Sequence, residues 1–197
     1  MSRTTTIIGP ADHGRPMTLD EFDLAEGVEG HLYELGRGVI VATDVPGIPH
    51  LAQVSALRRQ LYAYDAAHPG GIFDIAAGSD AKILVAGDQS ERHPDLFIYK
   101  TPPPATDVWS TWIPEIVIEV VSPSSAHRDY EEKPAEYLAF GVSEYWIVDA
   151  AKREMTVLRR SRGQWARSSV KPGETYQTRL LPAFTLDVAA VLDAAKA

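Results

Sequence analysis

Residues 114–125 read PEIVIEVVSPSS, and this stretch decides how the middle of the chain folds. The β-branched residues around a single acid predict a strand that is buried on both faces: Ile116, Val117, Ile118, Val120 and Val121. Glu119 stands in the middle of this run, although burial of an unpaired carboxylate is costly. We therefore expect a cation or strong hydrogen bonds beside Glu119. A core arginine as ion-pair partner is one interpretation, and a functional site is the other.

The composition is that of a globular protein with one sizeable core. The chain has 197 residues, of which 45% are hydrophobic and 23% charged, so a single domain is expected. We assign residues 17–197 to this domain and residues 1–16 to a flexible N-terminal extension. The absence of cysteine excludes a disulfide framework and a thiolate metal site. No signal-peptide pattern or membrane-spanning run is present, so a cytoplasmic location without membrane contact is expected.

The charge of the chain is unevenly distributed. The net charge of −8 argues against a protein that coats nucleic acid non-specifically. Residues 151–171 nevertheless carry seven lysines and arginines against one acid, Glu154. Two interpretations of this segment are open, a face that contacts phosphates and a solvated outer hairpin.

The order of predicted elements indicates an α+β fold with one mixed sheet. Thr18 and Glu21 have capping-box spacing, and Gly141 is typical of a helix end. Residues 101–114 are proline-rich and predict a surface loop. Helices are predicted near residues 17–27, 49–68, 124–141 and 186–197. Strands are predicted within 31–43, which form a hairpin, and within 71–87, 95–100, 115–121, 143–150, 153–160 and 164–170.

A second acid suggests what Glu119 could do. Asp95 follows a proline at the start of another apolar strand, and if the two strands are neighbours, both carboxylates converge at one end of the sheet. Two carboxylates completed by water suit Mg²⁺, although Asp95 alone is also typical of a turn. Asp129, Lys133 and Tyr137 are spaced by four residues. This spacing allows a surface pair of Asp129 with Lys133, or a lysine that reaches back over Glu119, and we assign Tyr137 to packing.

Several segments of the sequence resemble a known family. The segments LYELGRGVI (32–40), PH (49–50), HPDLFIYK (93–100), EIVIEVVSPSSAHRDYEEKPAEYLAFGVSEYWIVDA (115–150) and LLPAFTLDVAAVL (180–192) are similar, in this order, to the Uma family of "putative restriction endonucleases", a branch of the PD-(D/E)xK nuclease superfamily. The resemblance covers about residues 17–193. It implies a restriction-endonuclease-like mixed central sheet flanked by helices, and a metal-dependent endonuclease that hydrolyses phosphodiester bonds in DNA.

The resemblance also assigns roles to residues. It makes Asp95 and Glu119 the metal-binding acids, Lys133 the catalytic lysine and Glu34 a further acid near the metal. Val121 stands two residues after the second acid, where the superfamily normally has its lysine, so the lysine of the following helix takes that place. An outward-facing strand position is the alternative for Glu34. If Lys133 points to water, Lys82 or Lys100 is the next candidate.

The resemblance further implies Mg²⁺ as cofactor, with Mn²⁺ as a substitute, DNA as partner and a homodimer. His50 and Asp80 are expected in a second shell or in contact with phosphate, and the alternatives are a solvent-exposed helix start and a turn residue. Two other functions stay open at this point. One is a catalytically weak or inactive nucleic-acid-binding or regulatory protein on the same fold, and the other is hydrolysis of small phosphoesters.

Overall fold

The computed structural model describes residues 5–196, with the side chain of Ser79 excepted. The α-helices are α1 Leu19–Asp23, α2 Ile48–Ala67, α3 Val108–Thr111, α4 Lys133–Phe140 and α5 Val188–Asp193. The strands are β1 Ile7–Ile8, β2 Glu26–Gly27, β3 His31–Gly36, β4 Val39–Asp44, β5 Asp74–Ala76, β6 Ile83–Val85, β7 Ser90–Arg92, β8 Leu96–Tyr99, β9 Ile116–Val120, β10 Glu144–Asp149, β11 Glu154–Ser161, β12 Gln164–Val170, β13 Thr175–Gln177 and β14 Thr185–Asp187. None of the helices in this described range is long and apolar enough to cross a bilayer.

The chain divides into two compact units, of which the first holds the described residues up to Val45 together with Lys82–His93. Its four-stranded sheet has the order β4-β3-β7-β6, with all pairings antiparallel. The predicted hairpin forms the β3–β4 pair, and the predicted capping box of α1 is present between Thr18 and Glu21. Both local predictions are confirmed because they depend on neighbouring residues only.

The N-terminal stretch contributes to this first unit. Ile7–Ile8 pair in parallel with Glu26–Gly27, and Ile8 is buried with Phe22, Leu35 and Ile40 in the core of the unit. The described part of the expected extension, residues 5–16, therefore includes a core residue. Residues 1–4 of that extension lie outside the described range.

The second unit, Pro46–Ala81 with Pro94–Ala197, contains the six-stranded central sheet in the order β12-β11-β10-β9-β8-β5. Strands β9 and β10 are parallel and the other neighbours are antiparallel, so the predicted mixed central sheet is confirmed. The expectation that all strands share one sheet was wrong, because β3, β4, β6 and β7 form their own sheet in the first unit.

The two faces of the central sheet carry different helices. Ile116, Ile118 and Val120 point into a large apolar core with residues of α2 and α5. The alternate residues Val117 and Glu119 point to the opposite face, since side chains alternate along a strand. That second face is covered by α4, which ends at Gly141 in the left-handed conformation (φ 111°), as the sequence predicted.

The proline-rich stretch was predicted to be a surface loop. The proline-rich stretch 101–114 is largely irregular, but it contains the short helix α3. Trp112, at the end of α3, stacks on Tyr99 with ring centroids 3.6 Å apart, so burial of an aromatic ring anchors a segment that was predicted to be only a surface loop.

Candidate active site

Glu119 is buried on β9, with 4% of its surface exposed, and it is fully compensated. Its Oε1 accepts hydrogen bonds from the Lys133 ammonium at 2.7 Å and from the Tyr137 hydroxyl at 2.8 Å. The cation that the sequence required is therefore a lysine from the next helix and not a core arginine. The expected contact of Lys133 with Glu119 is confirmed, whereas the assignment of Tyr137 to packing alone was incomplete.

Asp95 immediately precedes β8, and β8 pairs with β9, the strand that carries Glu119. Leu96 pairs with Ile118, and the same antiparallel register continued by one residue sets Asp95 opposite Glu119. Paired residues of this kind project to the same face, with Cβ atoms about 5 Å apart. The two acids therefore lie at neighbouring positions of the central sheet, as expected. An ion shared by their carboxylates stays a prediction.

The Asp95 carboxylate is held by two donors. Its Oδ2 accepts from the backbone N–H of Val120 at 2.7 Å and contacts His50 Nε2 at 3.1 Å. No donor among the described groups of residues 5–196, from which the Ser79 side chain is excepted, reaches Oδ1. This arrangement leaves one carboxylate oxygen of Asp95 available to a ligand and fixes the other.

His50, near the start of α2, is mostly buried and not solvent-exposed, so the exposed alternative for this residue was wrong. Burial alone would lower the pKa of His50. The hydrogen bond to the Asp95 carboxylate, the charge of Asp95, the Val120 backbone and the charge of Asp129 outweigh burial and raise the pKa. The imidazolium form is thus favoured beside Asp95. A role of His50 toward phosphate stays a prediction.

The position of Lys133 is set by an unusual turn. Residues Arg128–Glu132 form a single π-helical turn, closed by the Lys133 N–H, which donates to the Arg128 carbonyl five residues earlier. Pro134 gives a physical reason, because proline has no N–H for the Tyr130 carbonyl and its ring crowds that carbonyl. The helix α4 then begins at Lys133 itself, and Pro134 occupies its second position. Lys133 is consequently directed at Glu119 with only 4% of its surface exposed.

The burial of Asp129 was not predicted from the sequence. Its Oδ1 lies 3.2 Å from Lys133 Nζ, and the residue is only 1% exposed. Neither of its carboxylate oxygens makes a hydrogen bond of normal geometry, so the contact with Lys133 is an ion pair only. Lys133 therefore contacts both Asp129 and Glu119. The spacing had left open a pair of Lys133 with Asp129 or a contact of Lys133 with Glu119, and both are present. The pair with Asp129 is buried and does not lie on the surface.

The remaining predicted residues lie elsewhere in the chain. Glu34, on β3 of the first unit, accepts from the buried Arg92 side chain at 3.2 Å and from the His93 N–H at 3.0 Å, so it is not a simple outward-facing residue. Asp80 is exposed at the end of a 3-10 turn, Gly78–Asp80. Lys82 pairs with acids of the first unit. The proposed roles of Glu34 and Asp80 stay predictions.

The basic segment 151–171 proves to be divided between structural and exposed cations. Arg159 donates to the buried Glu144, and Arg160 donates to the carbonyls of Val142 and Leu138. These arginines are part of the hairpin's own packing. Others on the same hairpin, among them Arg162 and Lys171, are exposed. Neither a uniform phosphate-contacting face nor a purely solvated hairpin describes the segment.

The residues present fit a hard divalent cation held by few protein ligands. Within the described part of the chain, no group of three or more His, Asp or Glu side chains is arranged to hold a metal ion. Asp95 and Glu119 provide a two-carboxylate set, and Mg²⁺ commonly takes one or two carboxylates and keeps several waters. The unsatisfied Oδ1 of Asp95 is consistent with such a ligand.

The mixed sheet, with acids on two neighbouring strands and a lysine from the covering helix, defines a restriction-endonuclease-like protein. The family model described as "Uma2: Putative restriction endonuclease" matches residues 19–189, and the chain belongs to this family. Among solved structures, one titled "Crystal structure of a putative nuclease belonging to DUF820 from Anabaena variabilis ATCC 29413" superposes with a TM-score of 0.73. The two sequences are 17% identical, and the superposition covers 91% of this chain and 99% of the chain in that structure. At this identity the match shows the fold alone. No curated protein matches the sequence.

Proposed function

We propose that the protein is a metal-dependent endonuclease that hydrolyses phosphodiester bonds in DNA, with Mg²⁺ as cofactor and Mn²⁺ as a substitute. The observation that carries this proposal is the buried contact of Lys133 with Glu119, on the strand adjacent to Asp95. Membership of the family of restriction-endonuclease-like proteins supports the same conclusion.

In this proposal, Asp95 and Glu119 hold the cation. Such an ion, when bound, supplies Lewis acidity toward a phosphate and makes water a better nucleophile near neutral pH. Lys133 places a fixed positive charge beside Glu119, where charge develops on the phosphate in the transition state. Tyr137 and the Val120 N–H orient the two carboxylates, because each holds one carboxylate oxygen in place. Glu34 is assigned to orienting a ligand or water on the family resemblance only.

The central experiment measures cleavage of supercoiled plasmid DNA in MgCl₂, with and without EDTA. Glu119→Gln and Asp95→Asn should abolish cleavage and weaken Mg²⁺ binding in calorimetry. Lys133→Met should lower the rate by roughly 100-fold or more without weakening Mg²⁺ binding, because it removes charge stabilisation in the transition state but no metal ligand. Asp65→Asn on α2 removes a carboxylate outside this site and serves as the matched control. Cleavage that survives EDTA, or that survives Glu119→Gln, would show that another site or a contaminant is responsible.

A second candidate is a nucleic-acid-binding or regulatory protein that keeps the fold without useful catalysis. One observation favours it: Lys133 occupies Oε1 of Glu119, so this oxygen is engaged by the protein's own cation. The net charge of −8 and Val121 at the usual lysine position point the same way. DNA binding that persists in wild type without any Mg²⁺-dependent cleavage would select this candidate. Turnover of a small phosphodiester without DNA cleavage would instead indicate hydrolysis of small phosphoesters.

A further inference from the structure

The carboxylate of Asp129 is an exception among the buried polar groups of the second unit. Nearly all buried polar atoms in proteins have a hydrogen-bond partner, and each exception requires a physical explanation. Both Asp129 oxygens lack one in the described structure, and the side chain is 1% exposed. Its nearest cation is the Lys133 ammonium at 3.2 Å, and its charge also acts on His50, whose pKa it helps to raise.

The backbone prevents Asp129 from moving to a better environment. Its N–H donates to the Ser125 carbonyl at 3.0 Å, and its carbonyl accepts from the buried Tyr145 hydroxyl at 3.0 Å. The π-helical turn Arg128–Glu132 connects this anchored residue directly to Lys133. Asp129 is thus held 3.2 Å from the ammonium, which also contacts Glu119 at 2.7 Å.

We propose that Asp129 is a positioning residue that holds the Lys133 ammonium in place when Glu119 is bound to a divalent cation. A cation on Glu119 neutralises the first partner of Lys133 and repels its ammonium. Asp129 is not part of the two-carboxylate set, so its attraction for Lys133 is retained. The lysine then stays beside the reacting phosphate instead of swinging away. The effect on rate rests on the proposed function, whereas the pairing of Asp129 with Lys133 can be tested without any substrate.

The pairing is tested by a double-mutant cycle of chemical unfolding in EDTA, with wild type, Asp129→Asn, Lys133→Met and the double variant. Lys133→Met leaves the buried Asp129 without its nearest cation, so removal of the Asp129 charge should restore part of the lost stability. The double variant is therefore expected to unfold at a higher urea concentration than Lys133→Met alone. If the two losses simply add, Asp129 does not act through Lys133 and the proposal is wrong. Asp65→Asn combined with Lys133→Met is the control and should give no restoration.

The same cycle repeated in MgCl₂ tests the dependence on the cation. The coupling between Asp129 and Lys133 should be larger in MgCl₂ than in EDTA, because Glu119 then contributes less to holding the lysine. Equal coupling at a Mg²⁺ concentration that saturates the wild type in calorimetry would overturn the proposal. If the protein fails to bind Mg²⁺ at all, the proposed metal site is wrong and so is this role of Asp129, even where the coupling in EDTA is present.

Activity provides the third readout. Asp129→Asn should lower kcat about 100-fold through a displaced lysine and change KM for DNA little. The substitution should have no further effect in the Lys133→Met background, and Asp129→Glu should recover part of kcat. An equal loss in both backgrounds would show that Asp129 acts independently of Lys133. A wild type that binds Mg²⁺ and shows coupling but cleaves no DNA would contradict the proposed nuclease function and leave the positioning role standing.

Discussion

The hydroxyl of Tyr137 offers a clean test of whether the acid in the central strand is stabilised as the structure indicates. Tyr137→Phe removes one oxygen from a fully buried ring and leaves its packing against Tyr145 unchanged. The lost hydrogen bond, at 2.8 Å, goes to the buried Glu119 carboxylate. Hydrogen bonds to charged groups contribute about 1.5–3 kcal/mol. We therefore expect a loss of about 2 kcal/mol in the free energy of unfolding.

Tyr99 provides a matched control in the same unit. Its ring is also fully buried, but its hydroxyl has no hydrogen-bond partner in the described structure, and burial raises its pKa. Tyr99→Phe should consequently be neutral or slightly stabilising, because it removes an unsatisfied polar atom. Urea unfolding followed by circular dichroism measures both variants, and unchanged m-values would show that compactness is not altered.

Two outcomes would refute this reasoning. A Tyr137→Phe variant as stable as wild type would mean that Lys133 alone satisfies the Glu119 carboxylate. A Tyr99→Phe variant as unstable as Tyr137→Phe would mean that loss of any buried tyrosine hydroxyl has this cost, so that the effect is not specific to the acid. In either case the description of Glu119 as a site stabilised by two donors would have to be abandoned.

Further expectations concern other parts of the chain. Gly36→Ala should destabilise by about 1–3 kcal/mol, since an added Cβ would lie 2.6 Å from the guanidinium of the buried Arg92, whereas Gly87→Ala, with open space, should not. In EDTA, NMR titration should give His50 a pKa above 6.5. Because this pKa is raised in the folded state, the associated stability is present below about pH 6.5 and is lost as pH rises through the folded-state value, a loss that His50→Gln should not show. Glu144→Gln should cost about 3 kcal/mol in urea unfolding, since four side-chain donors converge on this buried carboxylate and an amide cannot accept from all of them. Light scattering at micromolar concentration should show a homodimer, and a monomer would remove the argument for cleavage of both strands.

The central features of the site were predictable from the sequence because each produced a local conflict. A carboxylate among β-branched residues cannot be buried alone, so Glu119 required a partner wherever the strand was placed. The second acid, Asp95, stands at the start of a similar apolar run, and adjacent strands bring such positions together. Lys133 lay four residues from Asp129 and from Tyr137, which restricted it to one side of a helix. Contacts within the strand–helix–strand segment were thus accessible to reasoning from spacing.

Contacts that cross large sequence separations were not accessible in this way. His50 and Asp95 are 45 residues apart, and no local pattern requires a histidine at the start of α2 to contact an acid before β8. The separate sheet of the first unit was missed for the same reason. Its strand β6 follows β5 in sequence with the same short, β-rich pattern, whereas β7, Ser90–Arg92, has no such pattern. Only tertiary pairing decides that β7 joins β3 while β5 joins β8.

A search for a lysine two residues after Glu119 on the same strand would miss this site. Val121 occupies the usual lysine position, and its N–H continues the pairing with β10 through the Val148 carbonyl. The positive charge comes instead from Lys133, and its placement depends on Pro134, which favours a wider turn before α4. That turn also buries Asp129 against the same ammonium. Lys133 thus contacts Asp129 as well as Glu119, and we expect the effects of Lys133→Met and Asp129→Asn to depend on each other.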